Sequence, residues 1–261
     1  MYAEAAYDCS LPEPSPMRWI AEAPNPEVLE SPRRAISGSP TCSLRAVCMP
    51  LDLTATEVEE LDNVVLAIRN VRCGKTLFRA RDAFQSLYTV RTGSFKTVLM
   101  HRDGHEQVTG FQIPGDPLGL DGVCAGMHNC DAIALEDSTV CIIPFGQLES
   151  LCCKSHRMQR YLHQLMSSEI VRESSLMMLL GTMTAEQRLA TFLLDLAARF
   201  RARGYSGAQF NLKMSREEIG CFLGMTLETV SRMFSRFRQE GMVEPNGKEI
   251  RIVDAERLAR V

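Results

Sequence analysis

The chain has 261 residues, of which 45% are hydrophobic, and a formal net charge of −3. This length accommodates one large domain or two ordinary ones, and the absence of any run of about 18 apolar residues excludes a transmembrane helix. The N-terminus is acidic and contains prolines, without the basic and then apolar order of a signal peptide. We therefore expect a cytoplasmic protein with no membrane partner.

Charge is unevenly distributed along the chain. No Lys or Arg occurs between His105 and Lys154, whereas residues 199–260 are rich in Arg. This asymmetry suits a nucleic-acid-binding end and a separate end with another role. The sequence also lacks a Gly-rich phosphate loop and a Ser/His/Asp spacing, so we do not expect an enzyme.

The first part of the chain is rich in Pro, Ser, Ala and Glu, with seven prolines in residues 1–40. Such a composition does not hold a long helix, which predicts a flexible N-terminal segment, 1–50, that carries several of the ten cysteines. In a cytoplasmic chain, cysteines favour reduced thiols, metal ligation or redox sensing over structural disulfides. The Cys152-Cys153 pair and Cys221 are interpreted as packing residues.

Short strands punctuated by turns follow a capped helix at 54–63. The predicted strands are 76–78, 86–93, 94–100, 106–113, 133–135 and 139–143. Closely spaced strands with Gly and Pro turns indicate an antiparallel sandwich or roll, which we assign to residues 51–150.

A long helix without a breaker is predicted for about 155–181, within a segment assigned to 151–183. Alternating spacings of three and four residues form a seam along it: His163, Met166, Ile170, Glu173, Met177 and Leu180. A heptad-like stripe predicts pairing with a second copy of the helix, with Met166, Ile170, Glu173 and Met177 at its centre. The alternative is packing against its own roll, which suits the adjoining face: Leu162, Leu165, Leu176 and Leu179. Both can hold, with the seam face pairing with the second copy and the adjoining face packing on the roll.

Residues 184–261 predict a winged helix. After a helix at 185–203, Ser215 and Glu218 form a capping box, Gly224 breaks the helix, and Thr226 starts a second one at 226–240. Two short helices joined by a Gly-containing turn are a helix-turn-helix, whose second helix enters the DNA major groove. The turn at 246–247 and the alternating residues after it predict a β-ribbon, on which Lys248 and Arg251 would contact phosphates.

The outer face of helix 226–240 carries residue types that reach base edges and phosphates. They are Glu228, Ser231, Arg232, Ser235 and Arg236. The alternative is a helical hairpin whose charged face is merely solvated.

This order of elements resembles the CRP/FNR family of bacterial transcription regulators. Three segments carry the resemblance: EQVTGF at 106–111, AEQRLATF at 185–192 and GMTLETVSR at 224–232. All three are similar to the FNR branch, the oxygen sensors with an iron–sulfur cluster. The resemblance implies an α+β fold with a β-roll sensor domain, a long dimerisation helix and a winged helix-turn-helix.

The resemblance also implies partners. A homodimer would bind a palindromic double-stranded DNA site, with Glu228, Ser231 and Arg232 reading a TTGAT-type half-site, and the turn at 102–105 would contact RNA polymerase. Residues 115–134, which in the cyclic-AMP branch supply an Arg and a Glu, contain neither. A buried phosphate without a cationic partner is unfavourable, so we do not expect cyclic-nucleotide binding.

FNR proteins hold a 4Fe–4S cluster with three N-terminal cysteines, spaced C-x2-C-x5-C, and one from the roll. Cys42 and Cys48 match the second and third N-terminal positions, Cys141 matches the roll position, and Ser39 occupies the first N-terminal position. Because such a cluster takes four thiolates, three matches leave the site incomplete.

Four alternatives follow for the missing ligand. Cys9 could act as the fourth ligand, or another cysteine could: Cys73, Cys124 or Cys130. A non-cysteine ligand such as Ser39 or a small molecule would leave a labile cluster. In the last alternative the cluster is absent, and the regulator responds through thiol chemistry or an unknown small ligand in the roll.

Glu173 suggests how a change at the sensor could alter the population of the dimer. In the family, oxygen acts on the cluster and the dimer dissociates. Two copies of Glu173 would meet in the seam, where like charges are destabilising, so the dimer would be marginal and easily shifted. The alternative is a solvated Glu at the edge of the helix.

Overall fold

The computed structural model describes residues 53–65, 67–101 and 103–261, which lie within one compact unit. The predictions for the N-terminal segment, including those for Cys9, Ser39, Cys42 and Cys48, fall outside the described residues, as does Arg102 of the predicted polymerase-contacting turn. The predicted α+β architecture is confirmed. None of the described helices is both long and apolar enough to cross a membrane.

The first helix of the described residues, α1 (Ala55–Val64), begins with the predicted capping box. Thr54 Oγ accepts from the Glu57 backbone N–H, and the Glu57 carboxylate accepts from that of Thr54. Glu57 also accepts a hydrogen bond from the Ser155 hydroxyl at 2.5 Å. The bonds from Ser155 and Thr54 lower the pKa of Glu57 to about 2. This carboxylate therefore ties the first helix to the start of the long helix.

The roll consists of two four-stranded antiparallel sheets. The first has the order β1 (Ala67–Val71), β8 (Ser138–Pro144), β3 (Ser86–Thr92), β6 (Pro117–Leu118). The second has the order β2 (Thr76–Phe78), β7 (Asp131–Ala134), β4 (Phe95–Met100), β5 (Glu106–Gln112). Side chains from both sheets form its buried core, among them Val71, Phe78, Val90, Phe95, Leu118, Ala132 and Val140. The six predicted strands are confirmed, whereas β1 and β6 were missed.

Three helices follow the roll: α2 (Phe145–Lys154), α3 (His156–Thr182) and α4 (Ala185–Ala202). The long helix α3 is confirmed, and Ser155 caps it by accepting from the Met158 N–H. Its inner side chains, including Met158 and Leu162, pack with Leu61 of α1 and with Leu148 of α2. Leu162 also shares this core with Leu87 of β3, and Leu179 shares another core with Val108 of β5, so the predicted packing of this face against the roll is confirmed.

The C-terminal part is the predicted winged helix. It contains α5 (Arg216–Leu223), α6 (Leu227–Gln239) and α7 (Ala255–Ala259). Its sheet has the order β10 (Val243–Asn246), β11 (Glu249–Ile252), β9 (Gln209–Asn211). The capping box at Ser215, the left-handed Gly224 and the N-cap at Thr226 are all confirmed. Strand β9 and helix α7 were missed.

Helix α5 packs directly on strand β5 of the roll. Lys96 Nζ lies 2.7 Å from Glu218 Oε1. The Cys221 thiol donates to the Glu106 carbonyl and accepts from the Val108 N–H. Cys221 is therefore more than the apolar packing residue predicted, because its sulfur also joins two parts of the fold by hydrogen bonds.

Candidate nucleic-acid interface and sensor residues

Helix α6 is amphipathic, and its inner face fixes its orientation. Val230, Phe234 and Phe237 are at most 1% exposed and belong to a large core that the C-terminal helices share with strands of the roll. The Arg216 guanidinium lies 4.3 Å from the centre of the Phe234 ring, a cation–π contact between the two helices. A Cβ at Gly220 would lie 2.5 Å from the Met225 carbonyl, so the tight turn between the helices requires glycine there.

The outer face of α6 presents the polar residues predicted for DNA contact. Glu228, Arg232, Ser235 and Arg236 are exposed, and Ser231 is half-buried. The Glu228 backbone N–H and the Thr226 side chain lower the pKa of Glu228. Glu228 is therefore a carboxylate at neutral pH, which can accept a hydrogen bond from a cytosine amino group.

The two arginines on this face differ in what holds them. Arg232 Nη2 donates one hydrogen bond, 3.3 Å long, to Thr229 Oγ1. Arg236 lies between two carboxylates, 2.6 Å from Glu186 and 2.8 Å from Glu240. The hydrogen bond to Glu240, followed by the negative charge of Glu186, raises the pKa of Arg236. Arg232 can turn its remaining donors toward a base, whereas Arg236 would have to give up two ion pairs.

The wing presents further cations. Lys248 is exposed in the turn between β10 and β11, and Arg251 lies 3.3 Å from Glu244 across the ribbon. Side chains of this type neutralise phosphates and position a domain without reading sequence.

The outer face of α3 is exposed and apolar. Ile170 is 63% exposed and Met177 is 68% exposed, with Glu173 exposed between them and Met166 half-buried. Val171 and Met178 widen the apolar strip. Of the predicted seam residues, Ile170, Glu173 and Met177 are therefore exposed on the outer face of the helix, whereas Met166 and Leu180 pack against buried cores of their own chain.

Cys141 lies half-buried in the middle of β8. It pairs with Ile68 of edge strand β1 and with Thr89 of β3. Side chains directly opposite each other in an antiparallel pair share one face of the sheet. Since Ile68 is 48% exposed, Cys141 has an accessible, partly apolar neighbour at the sheet edge.

The other roll cysteines differ sharply from one another. Cys130 is buried, and burial together with Asp121 raises the pKa of its thiol, which opposes thiolate formation. Cys73 and Cys124 are exposed. Across 53–65, 67–101 and 103–261, no three His, Cys, Asp or Glu side chains come together as metal ligands. A cluster held by Cys141 would thus need ligands from the N-terminal segment.

Aromatic side chains occupy the interior of the roll. The His128 ring is 4% exposed and stacks on Phe78 with 3.7 Å between ring centres. Its Nδ1 lies 3.3 Å from Asp121, and Phe84 and Tyr88 complete the group. These contacts form a closely packed aromatic group inside the roll.

The comparisons with known proteins agree on the family. Residues 187–261 match the Crp-like helix-turn-helix domain, and residues 68–155 match the cyclic nucleotide-binding domain. The chain is 45% identical over 214 residues to the transcriptional activator protein FnrA of Stutzerimonas stutzeri, covering 82% of this chain and 88% of that protein. The chain belongs to the CRP/FNR family.

The resemblance to the FNR branch is thereby confirmed. This CRP/FNR chain is also 40% identical over 218 residues to the fumarate and nitrate reduction regulatory protein of Salmonella typhimurium, covering 84% of this chain and 87% of that one. Among solved structures, FixK2 from Bradyrhizobium japonicum matches with a TM-score of 0.69 and 30% identity, over 74% of this chain and 96% of that one. The chain described by this structure is accordingly a DNA-binding transcription regulator.

Sequence reasoning missed several polar contacts of this CRP/FNR chain. Asp116 lies 2.5 Å from Arg199, in the last turn of α4, and also bonds Arg203, the residue that caps the end of this helix. Burial would raise the pKa of Asp116, but the two guanidinium groups lower it overall. Glu186, which binds Arg236, was also missed. These partners are far apart in sequence, and no local pattern indicates them.

Proposed function

We propose that this chain acts as a homodimer that binds a palindromic DNA site in the cytoplasm and changes its binding with oxygen or redox state. The observation that carries the proposal is the pair of outer helix faces, one apolar on α3 and one charged on α6. Relatives named as transcriptional activators, and one named for fumarate and nitrate reduction, support an anaerobic role.

Three side chains in the first half of α6 would contact base edges: Glu228, Ser231 and Arg232. Arg232 would donate two hydrogen bonds to a guanine, and the Glu228 carboxylate would accept from a cytosine amino group. Ser231 is half-buried and would reach a base edge at close range. Ser235 and Arg236 lie farther along the helix and would contact phosphates, as would Lys248 of the wing.

Dimerisation would cover the outer face of α3. Burial of apolar side chains is the main favourable contribution to such association. Met166, Ile170 and Met177 provide the apolar surface, and Glu173 would meet its own copy across the two-fold axis. Like charges there weaken the dimer, which makes its population sensitive to a small structural change in the roll.

A 4Fe–4S cluster is the cofactor that the roll supports best. Cys141 suits a ligand because it is half-buried beside an exposed apolar residue, Ile68, while Cys42 and Cys48 would provide two further thiolates. When bound, such a cluster supplies chemistry that oxygen alters. The fourth ligand would be Cys9, with Ser39 or a small molecule as the alternative. Cys130 is the least suited cysteine, since burial and Asp121 keep its thiol protonated.

A second surface would contact RNA polymerase at the β4–β5 hairpin. Met100 is 61% exposed, and His101 Nδ1 lies 2.8 Å from Asp103 in the exposed tip. An apolar side chain beside a polar turn is a suitable protein contact.

The cluster is tested by its spectrum and composition. Anaerobically purified protein should show visible absorption with about four irons and four sulfides per chain, both lost in air. Cys141→Ser should abolish them, and Cys153→Ser, at an exposed cysteine of α2 that is not a ligand candidate, is the matched control that should not. Cys9→Ser distinguishes the fourth-ligand alternatives. A colourless, iron-free anaerobic protein would overturn the cluster and leave thiol chemistry as the alternative.

DNA recognition is tested separately by selection from random duplexes. The expected product is a two-fold palindrome with half-sites about one helical turn apart. Selection of an asymmetric site would contradict binding as a symmetric dimer, whatever the cluster experiment shows.

A further inference from the structure

Arg188, the fourth residue of α4, bonds to three separate parts of the fold. Its Nε donates to the Met183 carbonyl at 3.0 Å, and its Nη2 donates to the Leu180 carbonyl at 2.7 Å. Its Nη1 donates to the Leu223 carbonyl at 3.0 Å and to the Gly224 carbonyl at 3.4 Å. One side chain thus joins the end of α3, the α3–α4 linker and the turn of the helix-turn-helix.

The chemistry of these acceptors explains why an arginine suits the position. The carbonyls of Leu180 and Leu223 belong to the last turns of α3 and α5. Such carbonyls have no partner within their own helix and carry the negative end of the helix dipole. A guanidinium satisfies several of them at once because it is charged and has five N–H donors in a planar fork, whereas lysine offers one compact charge.

Close packing at Gly224 supports the same junction. Its φ of +62° ends α5, and a Cβ added there would lie 3.3 Å from Arg188 Nη1 and 3.3 Å from Leu180 Cδ2. The turn therefore lies directly against the end of the long helix, with little room between them. Leu179 of α3 shares one buried core with Ile219 of α5, so apolar packing backs the hydrogen bonds.

We propose that Arg188 is a positioning residue that fixes the recognition helix α6 relative to the long helix α3. It thereby sets the separation of half-sites that the dimer accepts. Helix α6 begins just after Gly224, and α3 is the helix that would lie at the two-fold axis. The inference rests on the proposed palindrome-binding dimer. A change of one base pair moves a half-site by about 3.4 Å along the DNA and also rotates it, so a rigid junction should reject the wrong spacing.

The experiment measures how binding depends on half-site spacing. The palindrome selected by the wild-type protein is remade with one base pair added or removed at its centre, and a single half-site duplex is included. Wild-type affinity should fall about tenfold or more on each altered spacing. Arg188→Met should reduce that discrimination below about threefold while changing single half-site affinity less than about threefold.

Two further variants make the result interpretable. Arg188→Lys keeps the charge but loses the fork, so it should lie between the wild type and Arg188→Met; it also carries the test if circular dichroism shows Arg188→Met unfolded. Arg201→Lys, an exposed arginine in the last turn of the same helix, should behave like the wild type. An equal loss at every spacing, with discrimination retained, would reduce Arg188 to a general structural role and overturn the inference. A wild-type protein indifferent to spacing would instead show that the palindrome-binding dimer is wrong.

Discussion

Helices α3 and α6 each turn one face to solvent, and the two faces have opposite chemistry. The face of α6 carries Glu228, Arg232, Ser235 and Arg236, which are well solvated in water and suited to a nucleic acid. The face of α3 carries Ile170 and Met177, each more than 60% exposed. An exposed apolar strip of this kind marks an interaction surface. The difference supports the proposed assignment of α3 to dimerisation and of α6 to DNA binding.

The largest expected effect comes from a charge within the apolar strip. Ile170→Asp should abolish the dimer, because it removes apolar burial from both copies, worth about 3 kcal/mol or more in total, and places two carboxylates near the axis. Sedimentation velocity should show monomers only. Ser168→Asp, about half a turn around the same helix, is the matched control and should remain dimeric. Dimers of Ile170→Asp equal to wild type would show that this face is not the seam.

A smaller but sequence-specific effect is expected at Arg232. Arg232→Ala should weaken binding to the selected site by about 1–3 kcal/mol and relax one base position, because it removes a base contact. Fluorescence anisotropy on the selected site, its single-base variants and random DNA would measure this. If specific and random DNA were weakened equally, Arg232 would be a phosphate contact and not a base reader.

Removing the charge of Glu173, which lies within the apolar strip, should strengthen the dimer. Glu173→Ala should raise the dimer fraction in air by about two- to fivefold, since it removes like charges from the seam. DNA affinity in air should rise with it. An unchanged dimer fraction would favour the alternative of a solvated Glu at the helix edge.

The smallest effect is expected at the second arginine of the charged face. Arg236→Ala should change specific affinity by less than about threefold, because Arg236 already forms ion pairs with Glu186 and Glu240 that DNA would have to replace. The same anisotropy series measures it. A loss as large as that of Arg232→Ala would mean that DNA binding releases Arg236 from both carboxylates.

Both faces were accessible to prediction from sequence. Helices α5 and α6 were found because Ser215, Glu218, Gly224 and Thr226 act on their own neighbours in the chain, so the signals are local. The seam of α3 follows equally from periodicity. Strand β1 was missed because four of its five residues are exposed and show no alternation.

Contacts that join distant parts of the chain were beyond sequence reasoning. Asp116 and Arg199 are 83 residues apart, and Arg188 is 35 residues from Leu223. Such contacts depend on how the helices pack on the roll, which no local pattern specifies. The predictions for Cys9, Cys42 and Cys48 stay predictions, because these residues lie outside the described part of the chain.

The central claim, that the apolar face of α3 pairs two chains so that their α6 helices read DNA together, is tested most directly by one binding comparison. Anaerobic protein is titrated onto the selected palindrome and onto the same duplex with one half-site scrambled. We predict two chains per palindrome, an affinity loss of about tenfold or more on the scrambled duplex, and no such difference for Ile170→Asp. Equal wild-type affinity for both duplexes would contradict the account.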